Sequence, residues 1–238
     1  MDIPYSPRKN ALIGALPMEE WLRLISHLEP VAMPLGDVLY EPGQVLRYAY
    51  FPVNAIVSLL YVMANGASAE IAVVGNEGMV GTPIIMGSET SSCRAVTQSA
   101  GYGFRIRASL LKQEFKTRPS IASLLLRYTQ ALITQITQTA VCNRHCVLEQ
   151  QLCRWLLLSL DRLECTELTM TQELIANMLG VRREGVTEAA GKLQKQGLIR
   201  YSRGHIKILD RAGLELKSCE CYQVVRREYE KLFPPRAF

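Results

Sequence analysis

The chain has 238 residues, 48% of them hydrophobic, so it is long enough for two medium-sized domains that each bury a core. It shows no basic-then-apolar leader and no apolar run near the roughly 20 residues of a membrane span, which predicts a cytoplasmic protein without a membrane partner. Seven cysteines, an odd number, favour free thiols in a reducing compartment over a disulfide framework.

The net charge of +5 is carried entirely by the second half of the chain. Residues 1–118 contain ten basic and ten acidic side chains, whereas residues 119–238 contain seventeen and twelve. Within residues 182–211 there are eight basic side chains against three acidic ones. This local excess is the electrostatic pattern of a surface that binds phosphates.

The first 118 residues predict a sensor domain built as an antiparallel β-barrel or jelly roll. After a loose arm over residues 1–10, the apolar spacing of Met18–Leu28 predicts a short helix. Short apolar runs separated by turn residues then predict strands at Val31–Met33, Val38–Tyr40, Tyr48–Phe51, Ala55–Val62, Ala69–Val74, Met79–Val80, Arg94–Thr97 and Tyr102–Ile106. Asn65-Gly66 is the strongest hairpin signal among the turns.

A brief helix at Ser109–Phe115 precedes a long one over residues 119–146, which we interpret as a dimerisation helix. Between Ile121 and Val141 it carries one charge, Arg127, and its apolar residues form two neighbouring lines, whereas its many Thr and Gln residues exclude a membrane span. One line should pack on the barrel and the other on a second copy of the chain. We assign the dimer interface to Ile121, Leu125, Tyr128, Leu132, Gln135 and Thr139.

Residues 147–238 predict a winged helix-turn-helix domain, so the overall fold class is α+β. A helix at Val147–Leu163 and a loop at Glu164–Leu168 lead into Met170–Leu198, where Ala176 and Gly180 permit a tight corner between two helices. An ordinary helical hairpin would show the same corner. The hairpin pattern of Arg200–Ile208 around a Ser-Arg-Gly turn adds the wing, and Arg211–Phe233 predicts a terminal helix.

The second helix of the corner is expected to begin at Arg182 and to read double-stranded DNA with its first two turns. Thr169 or Thr171 is available as the N-cap of the first helix. The predicted DNA-binding residues are Thr171, Gln172, Arg182, Arg183, Glu184, Gly185, Thr187, Glu188, Lys192, Ser202, Arg203 and His205.

This order of domains resembles the Crp/Fnr family of bacterial transcription regulators over about Leu16 to Leu209. The stretch Leu179–Val186 is similar to the family's Gly-x-Ser-Arg-Glu-Thr-Val motif, and Arg183 and Glu184 match its base-reading arginine and glutamate. Arg182 and Gly185 replace the family's serine and threonine, and Glu188 stands where well-known members have an arginine. The resemblance implies a homodimer on a palindromic operator, with RNA polymerase as a partner if the protein is an activator.

The resemblance also implies an effector pocket in the barrel, formed here by Gly81, Thr82, Ser92, Cys93 and Arg94. Cyclic-nucleotide-binding members have a glutamate after the first glycine and an arginine at the later position. This chain has Thr82 and Ser92 there, and Arg94 is displaced by two residues, about 7 Å along a strand. We therefore expect no cofactor and no cyclic AMP binding.

The cysteines leave alternatives open. Cys142, Cys146 and Cys153, with His145 between them, are spaced for a metal or iron–sulfur site, but buried structural thiols are the favoured interpretation. Cys219 and Cys221 lack an evident partner pair for zinc, so no metal is expected. The competing functions are a cyclic-nucleotide-responsive regulator, a thiol enzyme using Cys142 or Cys146 with His145, and a nucleotide-binding module whose basic tail contacts RNA or an anionic protein.

Overall fold

The computed structural model describes residues 6–163 and 167–233. The first part contains helices α1 (Ala11–Gly14) and α2 (Met18–Leu24) and strands β1 (Glu29–Met33), β2 (Val38–Tyr40), β3 (Tyr48–Pro52), β4 (Ile56–Val62), β5 (Ser68–Val74), β6 (Arg94–Ser99) and β7 (Gly101–Arg107). There follow α3 (Ala108–Thr117), α4 (Pro119–His145), α5 (Leu148–Leu160), β8 (Glu167–Thr169), α6 (Gln172–Leu179), α7 (Arg183–Lys195), β9 (Ile199–Ser202), β10 (His205–Ile208), α8 (Arg211–Lys217) and α9 (Glu220–Leu232).

Two antiparallel sheets form the N-terminal domain, with strand orders β1-β7-β3 and β2-β6-β4-β5. Strands β4 and β5 are joined by the predicted Asn65-Gly66 hairpin, where Gly66 has a φ of +86°. The strand pattern expected from the sequence is therefore confirmed, apart from Met79–Val80, where Val80 forms only an isolated bridge with Tyr50.

The N-terminal arm is more ordered than predicted. Residues 1–5 lie outside the described residues, but Asn10 is fully buried and its Nδ2 donates to the carbonyls of Pro52 (2.9 Å) and Gly78 (2.8 Å). Its Oδ1 accepts from the backbone N–H of Ile13 and so caps α1. One polar side chain therefore attaches the arm to the barrel.

Helix α4 packs on its own barrel through the line of residues that the sequence analysis assigned to the dimer interface, so that assignment is wrong. Tyr128 donates to the carbonyl of Met79 at 2.9 Å, and a Cβ on Gly78 would lie 2.5 Å from its hydroxyl. Gln135 Nε2 donates to the carbonyl of Val73 at 3.0 Å. The corrected residues, all buried within one copy of the chain, are Ile121, Leu125, Tyr128, Leu132, Gln135 and Thr139.

The other apolar line of α4 is open to solvent. On this line Leu126 is 54% exposed and Ile133 45%, and the neighbouring Val141 is 43% exposed. Both lines have similar composition, so periodicity alone did not distinguish them. Gly78 and the barrel carbonyls of Met79 and Val73, opposite Tyr128 and Gln135, decide which line faces the barrel.

The C-terminal domain adds a three-stranded sheet of order β8-β10-β9 to helices α5 to α7. Strand β8 replaces part of the predicted loop, because residues 167–169 pair with β10; residues 164–166 lie outside the described residues. The predicted terminal helix is broken into α8 and α9, since Ser218 and Cys219 adopt extended backbone. Among the described residues, each helix is too short or too polar to cross a bilayer.

Candidate nucleic-acid interface

Helices α6 and α7 form the predicted corner. Thr171 caps α6, since its hydroxyl accepts from the backbone N–H of Leu174 at 3.2 Å. Gly180 ends the helix in the left-handed region with φ +65°, and the N–H of Val181 donates to the carbonyl of Ala176 at 3.0 Å. The turn then places the start of α7 at the surface.

The first turn of α7 presents its polar side chains to solvent. Arg182 is the N-cap rather than the first helical residue, and Arg183 and Glu184 follow it, all three exposed. Because the backbone N–H groups of a helix start are also directed outward, this end favours an anion such as a phosphate. The predicted reading residues therefore lie on one accessible surface.

Two further predicted residues connect the helices of the corner. The hydroxyl of Thr187 on α7 lies 2.7 Å from Gln172 Oε1 on α6 and 3.0 Å from the carbonyl of Arg183. This contact fixes Gln172 beside the start of α7. Thr187 is consequently a positioning residue as well as a candidate DNA contact.

Glu188 and Lys192 form an exposed ion pair one turn apart, with 2.7 Å between Oε1 and Nζ. The hydrogen bond lowers the pKa of Glu188 and raises that of Lys192. The pair offsets the charge of Glu188, the position at which the family resemblance implies an arginine. Repulsion of DNA phosphates by Glu188 is reduced accordingly.

Gly185, also predicted as a DNA contact, is only partly exposed, and its contact with DNA stays a prediction. A Cβ at this position would lie 2.8 Å from Leu148 Cδ2 on α5. The glycine therefore allows α7 to approach α5 closely. This side of the helix faces α5.

The wing joins β9 to β10 through Arg203 and Gly204, which have φ values of +50° and +82°. A left-handed conformation costs a non-glycine residue about 1–2 kcal/mol, so Arg203 adopts this conformation against its backbone preference. Ser202 and His205 flank the tip and are exposed, and His205 Nδ1 lies 3.3 Å from the hydroxyl of Thr169.

The corner and the wing enclose a cleft of about 500 Å³. Arg183 of α7 and Arg203 of the wing both line it, which brings cations from two separate elements to one concave surface. The complete lining is Thr171, Gln172, Glu173, Arg183, Tyr201, Ser202, Arg203 and Gly204. This arrangement suits the sugar-phosphate backbone of a duplex whose bases meet α7.

Two family profiles match the chain. The first, described as a cyclic nucleotide-binding domain, covers residues 30–118, and the second, a Crp-like helix-turn-helix domain, covers residues 150–216. The chain belongs to the Crp/Fnr family. It is therefore a transcription regulator with a helix-turn-helix DNA-binding domain and a sensor domain. Comparison with curated protein sequences gives no match.

Solved structures of Crp/Fnr regulators share the fold. A family member from Eubacterium rectale is 20% identical, with a TM-score of 0.68 over 87% of this chain and 97% of that one. FixK2 from Bradyrhizobium japonicum is 16% identical, with a TM-score of 0.68 over 81% and 98%. The c-di-GMP responsive regulator CLP from Xanthomonas campestris is 17% identical, with a TM-score of 0.65 over 82% and 100%.

In this Crp/Fnr chain the predicted effector residues border the cleft of the barrel without lining it, because Ala95, next to Arg94, pairs with Tyr40 across β2 and β6, and a Cβ on Gly81 would lie 3.5 Å from the carbonyl oxygen of Tyr48. Gly81, with φ +108°, opens a short 3-10 helix in which Thr82 is buried. Arg94 Nε forms an ion pair with Glu41 Oε2 at 2.8 Å, while Ser92 and Cys93 are adjacent to it. The cleft, about 450 Å³, is instead lined by Leu39, Tyr40, Gln44, Val45, Leu46, Arg47, Tyr48 and Tyr50.

A buried polar network that was not predicted from the sequence joins the sensor domain to α5. Glu70 on β5 accepts from Trp155 Nε1 at 3.0 Å and lies 2.5 Å from the hydroxyl of Ser58. That hydroxyl is also 2.6 Å from Gln98 Oε1, and its single hydrogen serves only one acceptor. A protonated Glu70 resolves this by donating to Ser58. Burial raises the pKa of Glu70 to about 7, consistent with that arrangement.

Arg162, just after α5, forms the second part of this contact. Its Nε pairs with Glu77 Oε1 of the barrel at 2.8 Å, and its Nη2 donates to Gln135 Oε1 on α4 at 2.6 Å. Burial raises the pKa of Glu77, against the opposing effect of the arginine. Sensor domain, long helix and DNA-binding domain therefore meet at one buried guanidinium.

The structure also brings four cysteines together. Cys142 and Cys146 at the end of α4 meet Cys219 and Cys221 at the start of α9, whereas Cys153 lies apart from them. A hydrogen bond with the Cys142 thiol, whose sulfur is 3.4 Å away, lowers the pKa of Cys219. The second pair that a metal site requires, which the sequence analysis did not find for Cys219 and Cys221, is thus present.

Proposed function

We propose that this regulator acts as a homodimer that binds a palindromic site in double-stranded DNA, with a sensor domain that responds to an effector other than cyclic AMP. The observation that carries the proposal is the shared cleft in which Arg183 from α7 and Arg203 from the wing are both exposed. Arg183 is suited to base edges and Arg203 to a phosphate, because one lies on the recognition helix and the other on the wing tip.

The open line of α4 supports the dimer. Its exposed residues recur at alternating intervals of four and three, the spacing of a two-stranded coiled coil. The members are Leu126, Gln130, Ile133, Thr137 and Ala140. Packing this line on the same line of a second copy would bury apolar side chains that one copy leaves in water, and the two-fold axis would present two α7 helices to successive major grooves.

The sensor domain is proposed not to bind cyclic AMP. Thr82 occupies the position where cyclic-nucleotide-binding relatives carry a glutamate, and it cannot offer a carboxylate to a ribose. Arg94 is already paired with Glu41, so a phosphate would have to compete with that carboxylate. The cleft that contains Arg47 is the better candidate for an effector.

The remaining parts of the proposal follow from the regulator role. The protein would act in the cytoplasm and contact RNA polymerase if it activates transcription. A thiol enzyme is disfavoured because Cys142 is fully buried and its sulfur lies against Cys219 rather than against His145. No catalytic residue is proposed.

Selection of bound fragments from genomic DNA with the purified protein tests the proposal. We expect a palindromic motif whose half-sites are about one helical turn apart, bound by two chains per site. Binding to the selected duplex should fall steeply with salt and exceed binding to a random single strand of equal length. Equal affinity for the single strand would instead support the RNA-binding module, and selection without any common motif would contradict sequence-specific reading.

A further inference from the structure

The four clustered cysteines come from two stretches of the chain that are far apart in sequence. Cys142 and Cys146 are one helical turn apart at the end of α4, while Cys219 caps α9 and Cys221 lies in its first turn. Their Sγ atoms all lie within 4.8 Å of one another. Cys142, Cys219 and Cys221 are buried, and Cys146 is partly exposed.

These distances match one tetrahedral ion. With zinc–sulfur bonds of about 2.3 Å, tetrahedral geometry places the sulfurs about 3.8 Å apart. The thiols are close to that separation, and small side-chain rotations would complete it. An iron–sulfur cluster distributes four thiolates over two or more iron atoms and needs them farther apart. The spacing Cys-x3-Cys at residues 142–146 also falls in the range of zinc ligands.

Neighbouring side chains provide the outer contacts that such a site needs. Gln151 on α5 donates from Nε2 to the carbonyls of Cys146 (2.9 Å) and Cys142 (3.4 Å), which fixes the turn that carries the first ligand pair. Arg154 is buried, and its Nε has no hydrogen-bond partner among the described residues. Its charge acts on Cys142 and would offset one of the two negative charges of a zinc ion with four thiolates.

We propose that Cys142, Cys146, Cys219 and Cys221 bind one zinc ion. Four thiolates close the coordination sphere, so the ion is structural and binds no substrate. Each thiol that binds loses its proton to solvent, and no electron is transferred. The thiols would otherwise be available for disulfide formation, which the bound ion prevents.

The site would fix the junction between the long helix and the DNA-binding domain. Cys146 caps the end of α4, and α5 begins two residues later, at Leu148. Cys219 and Cys221 lie at the start of α9, which returns along α4. One ion would therefore join the end of α4 to the start of α9, next to the turn that leads into α5. We expect the loss of zinc to weaken operator binding without altering base preference. This expectation rests on the proposed function, but the proposal that the cysteines bind zinc does not.

The test uses the full-length protein purified under reducing conditions. Elemental analysis should find one zinc per chain, and the zinc-free protein should bind one cobalt(II) with the visible bands and the thiolate-to-cobalt absorption of tetrahedral sulfur coordination. The variants Cys146→Ser and Cys221→Ser should lose the stoichiometric metal. Cys93→Ser is the matched control, because Cys93 lies outside the group, and it should retain one zinc per chain.

Thiol titration separates the remaining possibilities and holds even if a variant folds poorly. Removing zinc from the wild-type protein should expose four additional reactive thiols. A chain without stoichiometric zinc that also fails to bind cobalt, a disulfide within the group, or iron in place of zinc would each overturn the proposal. Loss of DNA binding in a protein that still holds one zinc would count against the proposed function and leave the metal site intact.

Discussion

Replacing Glu70 by glutamine should remove a large part of the pH dependence of stability. Burial raises the pKa of Glu70 from 4.5 in the ordinary carboxyl to about 7 in the folded protein. Between these two pH values the folded state keeps a proton that the unfolded state loses. The free energy of unfolding therefore falls as pH rises from about 4.5 to about 7, and is constant with respect to this group above that range.

The size of the effect follows from the shift. One pKa unit corresponds to about 1.36 kcal/mol, so a shift of this size amounts to about 3 kcal/mol across the interval. In Glu70→Gln, the amide Nε2 can donate to Ser58 as the protonated carboxyl does, and Oε1 can still accept from Trp155. The variant should match the wild type near pH 5 and be more stable by up to about 3 kcal/mol at pH 8.

Urea unfolding followed by tryptophan fluorescence at several pH values between 4.5 and 8 measures the difference. Burial also raises the pKa of Glu77, but Glu77 is present in both proteins, so its contribution to the pH dependence cancels in the comparison. Glu89→Gln is the matched control, because that side chain is 73% exposed, and its curve should run parallel to the wild type. Parallel curves for Glu70→Gln and wild type would refute the assignment of the proton to Glu70.

Three further predictions concern the dimer, the backbone and the effector. The double variant Leu126→Lys, Ile133→Lys should be monomeric by light scattering, because both side chains lie on the open line of α4. The control variant Leu216→Lys, at a position 89% exposed, should remain dimeric. A dimeric double variant would place the interface elsewhere. Gly180→Ala should lower the free energy of unfolding by about 1–2 kcal/mol, because the φ of Gly180 is +65°. The cost is one of backbone conformation, since the atom nearest to the added Cβ, Ala69 Cβ, is 3.4 Å away. An unchanged midpoint in chemical unfolding would contradict this argument. Calorimetry with cyclic AMP should detect no binding, and a Kd near micromolar, about −8 kcal/mol, would disprove the interpretation of Thr82 and Arg94.

Local sequence patterns predicted the DNA-binding domain because its signals are short-range. The cap at Thr171, the glycine corner at Gly180 and the alternation of the wing each depend on a few neighbouring residues. The hairpin turn at Gly66 belongs to the same class. The sequence predicted one helix where the structure has α8 and α9, because the break at Ser218 and Cys219 contains neither proline nor glycine.

Features that depend on distant contacts could not be predicted in this way. The inward face of α4 is decided by Gly78 and by barrel carbonyls more than 45 residues away. Cys142 and Cys219 are 77 residues apart, and only the return of α9 along α4 brings them together. Glu70 looks like a polar hairpin residue, and its burial arises when Trp155 of another domain packs over it.

The most direct test of the regulator account compares base preference and salt dependence for Arg183→Ala and Arg203→Ala on a randomised operator. A guanidinium on the first turn of α7 can donate two hydrogen bonds to guanine O6 and N7, so Arg183→Ala should cost about 1–3 kcal/mol and relax preference at one base pair in each half-site. Arg203→Ala should weaken binding to all sequences alike and reduce the salt slope by about one per half-site. If Arg183→Ala leaves base preference intact while Arg203→Ala changes it, the roles of recognition helix and wing proposed here are contradicted.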